Sequence, residues 1–266
     1  NIEGFLNTAI TLSNTIGDLH KMNIIHKDIK PRNILVNEEK KIIKIADFSI
    51  SAEFTHENDE LYNSEVIEGT LAYMSPEQTG RMNCSVDYRT DLYSLGITFY
   101  KMITGEVPFI SKDPMEIIHS HIARKPVPPH EINNNCPVML SNIVLKLLSK
   151  TPQERYQNSF GLLADLKKSQ SDFQKKGKIN NFNLAMEDIS IRFIVPQMLV
   201  GRENEISTLL SSFDNVCKGN SEIMLVSGHP GIGKSALIHE IHKPIVAKRG
   251  YYLSGKYDQF RKDVPY

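Results

Sequence analysis

The feature that most constrains the fold of this chain is a charged segment between two apolar patterns. It reads His-Lys-Asp-Ile-Lys-Pro-Arg-Asn over residues 26–33. Before it, apolar residues recur at helical spacing over residues 2–19, which predicts an amphipathic helix. After it, two strand-like stretches at 33–36 and 42–46, each rich in Ile, Leu or Val, are separated by polar residues, which predicts a hairpin. The charged segment is therefore expected to be a loop held at both ends by regular structure.

The loop resembles the catalytic-loop pattern H-R-D-x-x-x-x-N of protein kinases, with Lys27 in place of Arg. The resemblance implies that three of its side chains serve phosphoryl transfer. Asp28 can accept the proton of an attacking hydroxyl, Lys30 can offset the charge on a transferred phosphate, and Asn33 can offer an amide oxygen to Mg²⁺. Asp47, followed by Phe48-Ser49 at the end of the predicted hairpin, is a carboxylate that can share the same metal. Alone, such a segment is also compatible with an ordinary surface loop.

Two further motifs follow along the chain. Residues 69–77 read Gly-Thr-Leu-Ala-Tyr-Met-Ser-Pro-Glu, and residues 91–96 read Asp-Leu-Tyr-Ser-Leu-Gly. Together with the two earlier segments they stand in the order of the protein kinase motifs, so residues 1–175 resemble the C-terminal lobe of a serine/threonine protein kinase. The resemblance implies a mainly helical α+β lobe, ATP and Mg²⁺ as cofactors, and a protein Ser or Thr hydroxyl as the acceptor.

The resemblance also implies a role for individual residues. The catalytic residues would be Asp28, Lys30 and Thr70, and the magnesium ligands would be Asn33 and Asp47. The structural residues would be His26, Glu77, Asp91 and Arg155, with Glu77 paired to Arg155 and Asp91 bracing the backbone of the loop. The glycine-rich phosphate cover and strand lysine of a kinase are expected to precede residue 1, so the chain by itself is expected to lack kinase activity.

The sequence departs from the kinase pattern at two informative positions. Lys27 stands where the family has Arg and cannot make the same bidentate contact with a phosphate. The acidic stretch 53–68 could supply carboxylates in place of that phosphate, or be a plain solvated loop. Ser49 stands where the family has Gly, which is expected to restrict the loop while it leaves the Asp47 carboxylate intact.

A second phosphate-binding motif lies at residues 228–235, which read Gly-His-Pro-Gly-Ile-Gly-Lys-Ser. It follows an apolar stretch at 223–226, a predicted strand, and opens a predicted helix over 234–247, which is the context of a P-loop. The residues expected to bind nucleotide are Gly228, Gly231, Gly233 and Lys234, with Ser235 also holding Mg²⁺. A glycine-rich turn that binds no nucleotide is the alternative.

The pairing of the two motif sets suggests the domain order. Residues 198–266 are expected to begin an α/β P-loop NTPase domain of the AAA or STAND type, and the charged, Gly- and Asn-containing residues 176–197 a linker. This arrangement resembles large bacterial hybrid signalling kinases, in which GAF and histidine kinase domains follow in the same chain. Two other readings stay open: a non-catalytic kinase-fold scaffold, and a protein whose principal activity is the P-loop ATPase.

Composition excludes several other classes of function. The chain has 31 Lys and Arg against 31 Asp and Glu, so no overall positive field attracts nucleic acid. Its 3 cysteines lack a Cys-x-x-Cys pair, which disfavours a disulfide framework or a zinc site. Without a bilayer-spanning apolar stretch, a cytoplasmic protein is expected. His119 and His121, two apart on a predicted helix, are expected to be ordinary surface residues.

Overall fold

The computed structural model describes residues 1–37, 42–49, 51–53, 71–82, 85–188, 201–229, 231–241, 244–245 and 248. The chain forms two compact units, Asn1–Pro196 and Gln197–Tyr266. Thr70 and residues 54–68 of the acidic stretch lie outside the described residues.

The first unit is rich in helices, as predicted. Its helices are α1 (Ile2–Lys21), α2 (Arg89–Thr104), α3 (Pro114–Ala123), α4 (Pro129–Ile132), α5 (Val138–Leu147) and α6 (Ser159–Lys176). Its strands are β1 (Ile24–Ile25), β2 (Ile34–Asn37), β3 (Ile42–Ile45) and β4 (Ala52–Glu53). Short 3₁₀ turns lie at Pro31–Asn33, Leu71–Tyr73, Glu77–Thr79 and Pro152–Glu154. Apolar residues at helical spacing predict helices over 2–19, 90–104, 114–122, 138–148 and 159–173. Each of these helices is present, whereas α4, in the Pro-rich segment, is not predicted.

Local chemistry sets several helix ends. The Asp113 side chain caps α3, and the Asn158 side chain caps α6 by accepting from the N–H of Phe160 at 2.8 Å. Gly105 directly follows the predicted helix over 90–104, a position that predicts a C-terminal stop, and it ends α2 with a left-handed φ of 91°.

The core lies between α1, α2, α5 and α6. The apolar face of α1 is Phe5, Leu6, Ala9, Leu12, Ile16 and Leu19. Helix α2 is buried on all sides over residues 89–100, so it is the central element of the unit. Gly96 allows its close approach to α5, because a Cβ at this position would lie 2.7 Å from the Cβ of Leu147.

Two small antiparallel sheets hold the ends of the loop at 26–33 and of the segment at 46–51. Strand β2 pairs with β3, with Ile34 opposite Ile45, which confirms the predicted hairpin. Strand β1 pairs with β4, with Ile25 opposite Ala52. The loop at 26–33 runs from β1 to β2, and the segment at 46–51 runs from β3 to β4. Because the strands pair on both sides, the two loops lie side by side.

The residues after α6 fold back onto the first unit. Gly177 ends the helix with a φ of 66°, and the N–H of Ala185 then donates to the Asp165 carboxylate at 2.8 Å. Asp188 accepts from the N–H of Gln157 at 2.7 Å. The first part of the predicted linker is therefore packed structure, while the domain limits at 175 and 198 stay a prediction.

The second unit contains α7 (Glu203–Val216) and α8 (Lys234–His239). The strand predicted at 223–226 is wrong: these residues form no strand, and Ile223 and Leu225 are 98% and 90% exposed. A strand forms only where a neighbour satisfies its N–H and C=O groups. No strand is described in this unit that could pair with the segment. Helix α8 is described to His239, and Ala247 lies outside the described residues.

None of the described helices is both long and apolar enough to cross a membrane.

His121 corrects the expectation that both histidines of α3 lie at the surface. It is fully buried, and its Nδ1 lies 2.9 Å from the hydroxyl of Tyr93. Burial, together with the charge of nearby Lys150, lowers the pKa of His121 to about 3. The sequence correctly predicts a helix around His121. Which face of that helix is buried depends on its packing against α2.

We expect this burial to make the first unit acid-sensitive. Because the pKa of His121 is lowered in the folded state, the unfolded chain binds more protons below the ordinary histidine pKa of about 6.5, and stability is lost as pH falls through it. The loss approaches about 1.4 kcal/mol per pH unit. His121→Asn can keep a partner for Tyr93 without titrating and should flatten the profile. The midpoints of urea unfolding, followed by far-UV circular dichroism at pH 7.5 and 5.5, measure the stability of wild type and of the variant. An equal loss of stability in the two proteins between these pH values would contradict the prediction.

Candidate active site

Asp91 organises the start of the loop at 26–33. Its carboxylate is fully buried at the N-terminus of α2. One oxygen accepts from the N–H of His26 at 2.9 Å, and the other accepts from the N–H of Lys27 at 2.7 Å. His20, from the last turn of α1, donates from Nε2 at 2.9 Å. Two consecutive backbone amides of the loop are therefore fixed by one side chain.

His26 joins the loop to the neighbouring segment. Its Nδ1 accepts from the N–H of Asp28 at 3.3 Å, and its Nε2 lies 3.3 Å from the carbonyl oxygen of Ala46. A carbonyl can only accept, so the ring proton is on Nε2. The ring also packs on Phe48, with centroids 4.7 Å apart. The imidazole is fully buried, and it ties residues 26–28 to residues 46–48.

The loop brings Asp28, Lys30 and Asn33 together. Oδ2 of Asp28 lies 2.6 Å from Lys30 Nζ, and the Asn33 carboxamide donates to the same oxygen at 2.9 Å. Asn33 also donates to the carbonyl oxygen of Asp28 at 2.9 Å. Asp28 is only 8% exposed, and its Oδ1 is buried without a hydrogen-bond partner among the described residues. One carboxylate oxygen is held and the other is left to accept.

Asp47 lies next to this group because of the hairpin register. The N–H of Ala46 donates to the carbonyl of Asn33 at 2.8 Å, so Asp47 follows directly. Asp47 is exposed, with a left-handed φ of 68°. The Ser49 hydroxyl donates to its Oδ1 at 2.7 Å, and this hydrogen bond, with that of the Ser49 N–H, lowers the pKa of Asp47. The serine that replaces glycine therefore contacts the carboxylate directly.

The donor set fits magnesium. Mg²⁺ prefers hard oxygen ligands and is commonly held by one or two protein side chains plus substrate phosphates. The nitrogen of the Asn33 carboxamide is used by Asp28, so its oxygen is the atom suited to a metal, and Asp47 adds a carboxylate next to it. Among the described residues no cluster of three or more His, Cys, Asp or Glu side chains is placed to hold a metal.

A buried ion pair supports the segment at 71–80. Arg155 donates from both terminal nitrogens to the Glu77 carboxylate, at 2.6 and 2.7 Å, and both side chains are fully buried. The other donations of the guanidinium go to backbone carbonyls of residues 149, 150 and 89. Although burial favours the neutral acid, the charge of Arg155 and the hydrogen bonds outweigh it and lower the pKa of Glu77. The expected pair of Glu77 and Arg155 is therefore formed, and all three guanidinium nitrogens donate hydrogen bonds.

Three residues of the site carried no recognised signal in the sequence. Gln78 donates to the carbonyl of Lys27 at 2.9 Å, Thr90 donates to Glu77 at 2.8 Å, and His20 bonds Asp91. Gln78 follows Glu77 and Thr90 precedes Asp91, so their position beside a motif residue is the only feature of the sequence that points to them. His20 lies 71 residues from its partner, and no local pattern identifies it.

In the second unit the glycine-rich loop leads into α8. Gly228, Gly231 and Gly233 have φ values of 155°, 81° and 93°, which favour glycine. Lys234 folds back over the loop, and its Nζ donates to the carbonyls of Gly228 and His229, each at 2.8 Å. Ser235 is exposed in the first turn of α8. The motif therefore gathers an ammonium group and a hydroxyl at one loop.

This combination defines the class of protein: a kinase domain followed by a P-loop ATPase domain. The protein kinase domain model matches residues 6–166, more than half of the chain, and the AAA ATPase domain model matches residues 198–266. The chain belongs to the protein kinase family.

Similar proteins include both simple and hybrid kinases. Hybrid signal transduction histidine kinase G of Dictyostelium discoideum is 31% identical over 100% of this chain. A probable serine/threonine-protein kinase of Clostridium perfringens is 38% identical over 63% of it, and serine/threonine-protein kinase PknB of Mycobacterium leprae is 39% identical over 55%. The aligned regions span 10%, 24% and 23% of these relatives.

We expect Glu77→Gln to destabilise the first unit strongly. The change leaves the Arg155 guanidinium buried without its carboxylate, which costs about 3–5 kcal/mol in the free energy of unfolding. Urea unfolding followed by far-UV circular dichroism measures it. Asp18→Asn is the control, because it breaks the Lys21–Asp18 pair, whose side chains are 77% and 67% exposed, and should cost about 1 kcal/mol or less. Similar losses in the two variants would count against the buried pair.

Proposed function

We propose that this chain carries a serine/threonine protein kinase module that transfers the γ-phosphate of ATP to a protein Ser or Thr hydroxyl. The observation that carries the proposal is the asymmetry of the Asp28 carboxylate. Oδ2 is occupied by Lys30 and Asn33, whereas Oδ1 is buried and unpartnered within the described part of the chain. A buried acceptor without a donor is costly, and a substrate hydroxyl would supply the missing hydrogen.

Each residue of the loop has a part in this proposal. Asp28 accepts the hydroxyl proton on Oδ1 and directs the oxygen toward the phosphate. Lys30, 2.6 Å from Oδ2, keeps the carboxylate oriented and places a positive charge beside the transferred group. Asn33 and Asp47 would hold Mg²⁺, which when bound neutralises phosphate charge. Thr70 is proposed to hydrogen-bond near Asp28 and Lys30, as its motif implies.

The first unit is proposed to be the C-terminal lobe of the kinase domain, which supplies the catalytic loop and the metal ligands. GAF and histidine kinase domains are proposed as further partners in the same protein, because the paired motifs resemble those of hybrid signalling kinases and similar proteins include histidine kinases. The glycine-rich phosphate cover and the strand lysine of the kinase pattern are not found among the described residues. Assays of phosphotransfer therefore call for the full-length protein.

We expect Asp28→Asn to abolish most phosphotransfer. An amide cannot accept the proton, and loss of such a base costs about 10²–10⁴-fold in rate. Transfer of labelled phosphate from ATP to serine- and threonine-containing protein, by the full-length protein, measures it. Asp18→Asn, the same change at an exposed site of α1, is the control. Equal activity of Asp28→Asn and wild type would favour the non-catalytic scaffold instead.

We propose a second nucleotide site at the P-loop of the AAA ATPase domain. Lys234 supports it, because its ammonium is folded over the loop by two carbonyl contacts of 2.8 Å and can exchange these for β- and γ-phosphate oxygens. Ser235 would hold Mg²⁺ there, and the N–H groups around Gly228, Gly231 and Gly233 would surround the phosphates.

We expect Lys234→Ala to weaken Mg-ATP binding by this chain about tenfold to a hundredfold, the worth of a charge-assisted hydrogen bond. Isothermal titration calorimetry measures the affinity. Lys248→Ala removes an exposed lysine of the same unit, paired with Asp214, and should leave binding unchanged. An unchanged Mg-ATP affinity of the Lys234→Ala variant would argue against the site.

A further inference from the structure

Gln78 connects the segment at 71–80 with the loop at 26–33. It follows Glu77 in a short turn and is 8% exposed. Its Oε1 accepts from the N–H of Ser75 at 3.0 Å and from the Ser75 hydroxyl at 3.1 Å. Its Nε2 donates to the carbonyl of Lys27 at 2.9 Å. Since the Ser75 N–H can only donate and a carbonyl can only accept, these partners fix the orientation of the carboxamide.

The group that Gln78 holds is the peptide unit leading into Asp28. Lys27 has a left-handed φ of 68°, a conformation that a non-glycine residue keeps only when its surroundings hold it. Its N–H is bound to Asp91 at 2.7 Å and its carbonyl to Gln78 at 2.9 Å. Because the Lys27 carbonyl and the Asp28 N–H belong to one plane, fixing the carbonyl also fixes the backbone from which the Asp28 side chain projects.

We propose that Gln78 is a positioning residue that keeps Asp28 oriented only while the segment at 71–80 is in place. The inference rests on the proposed role of Asp28 as the base. This role requires both polar atoms of the Gln78 carboxamide. The oxygen binds Ser75, and the nitrogen donates to the Lys27 carbonyl in the loop. Glu77, its neighbour, is anchored by the buried Arg155, so a rigid turn transmits the position of the segment to the Lys27–Asp28 peptide.

Two substitutions separate the two ends of the carboxamide. Gln78→Met matches the side chain in length and removes both contacts. Gln78→Glu keeps an acceptor for Ser75, but its carboxylate has no hydrogen for the Lys27 carbonyl. In the full-length protein we expect each variant to lower kcat about tenfold to a hundredfold, the cost of a misplaced catalytic group, with KM for ATP unchanged.

The pH profile gives a signature that a merely structural role would not produce. In the Gln78→Glu variant, the introduced carboxyl can donate to the Lys27 carbonyl again once it is protonated, and burial raises the pKa of such a group. The ratio of the kcat of this variant to that of wild type should therefore rise as pH falls. The ratio for Gln78→Met should stay constant with pH.

Hydrogen–deuterium exchange tests the inference without any activity. In this chain, Gln78→Met should speed exchange in the peptide at 24–33, which contains the Lys27 and Asp28 amides, while peptides of α2 and α6 keep their wild-type rates. Gln174→Met, the same change at an exposed position of α6, is the control. Exchange that rises equally throughout the first unit would overturn the inference in favour of general destabilisation.

The outcomes for Asp28 and Gln78 are separable. Full activity of Asp28→Asn removes the proposed base, whatever the Gln78 variants do. If Asp28→Asn is inactive while both Gln78 variants keep wild-type kcat and wild-type exchange at 24–33, the proposed function stands and the role of Gln78 is overturned. Lowered kcat together with local exchange at 24–33 supports it.

Discussion

The buried carboxylate of Asp91 is the constraint on which the rest of the site depends. It accepts from the N–H groups of His26 and Lys27 at 2.9 and 2.7 Å, and these groups would otherwise be buried without partners. Such hydrogen bonds to a charged acceptor are stronger than neutral ones. They hold Lys27 in a left-handed conformation, which directs the chain so that Asp28 meets Lys30 and Asn33. The central helix α2 thereby supplies both the core of the unit and the reference point for its chemistry.

The second support is the pair of Glu77 and Arg155. Removing two charges from water is expensive, and the pair is tolerable because the guanidinium is hydrogen-bonded throughout and stacks over Tyr93, 4.8 Å from the ring centroid. The fixed turn after Glu77 carries Gln78 to the Lys27 carbonyl. The loop at 26–33 is thus held from two directions, by Asp91 at its N–H groups and by the 71–80 segment at a carbonyl.

Two serines that depart from the kinase pattern, Ser49 and Ser75, each form a hydrogen bond that the usual Gly or Ala could not form. Ser49 was expected to restrict the loop after Asp47; its hydroxyl donates to that carboxylate at 2.7 Å. Ser75-Pro76-Glu77 stands where the kinase pattern has Ala-Pro-Glu, and the Ser75 hydroxyl donates to Gln78 at 3.1 Å. Both serines add a contact to a neighbouring polar side chain. Such contacts depend on side-chain rotamers and on distances of tenths of an ångström, which a motif comparison does not contain.

The sequence by itself determined the helices of the first unit other than α4, the hairpin that brings Asn33 toward Asp47, and the likeness to kinases, because periodicity, caps and motif spacing are local properties. Tertiary structure alone decided the rest. It buried His121, joined His20 to Asp91 across 71 residues and Gln78 to the loop across 51 residues, and left residues 223–226 without a strand. These outcomes depend on partners distant in sequence: a side chain is buried, and a strand is paired, only when another element lies against it.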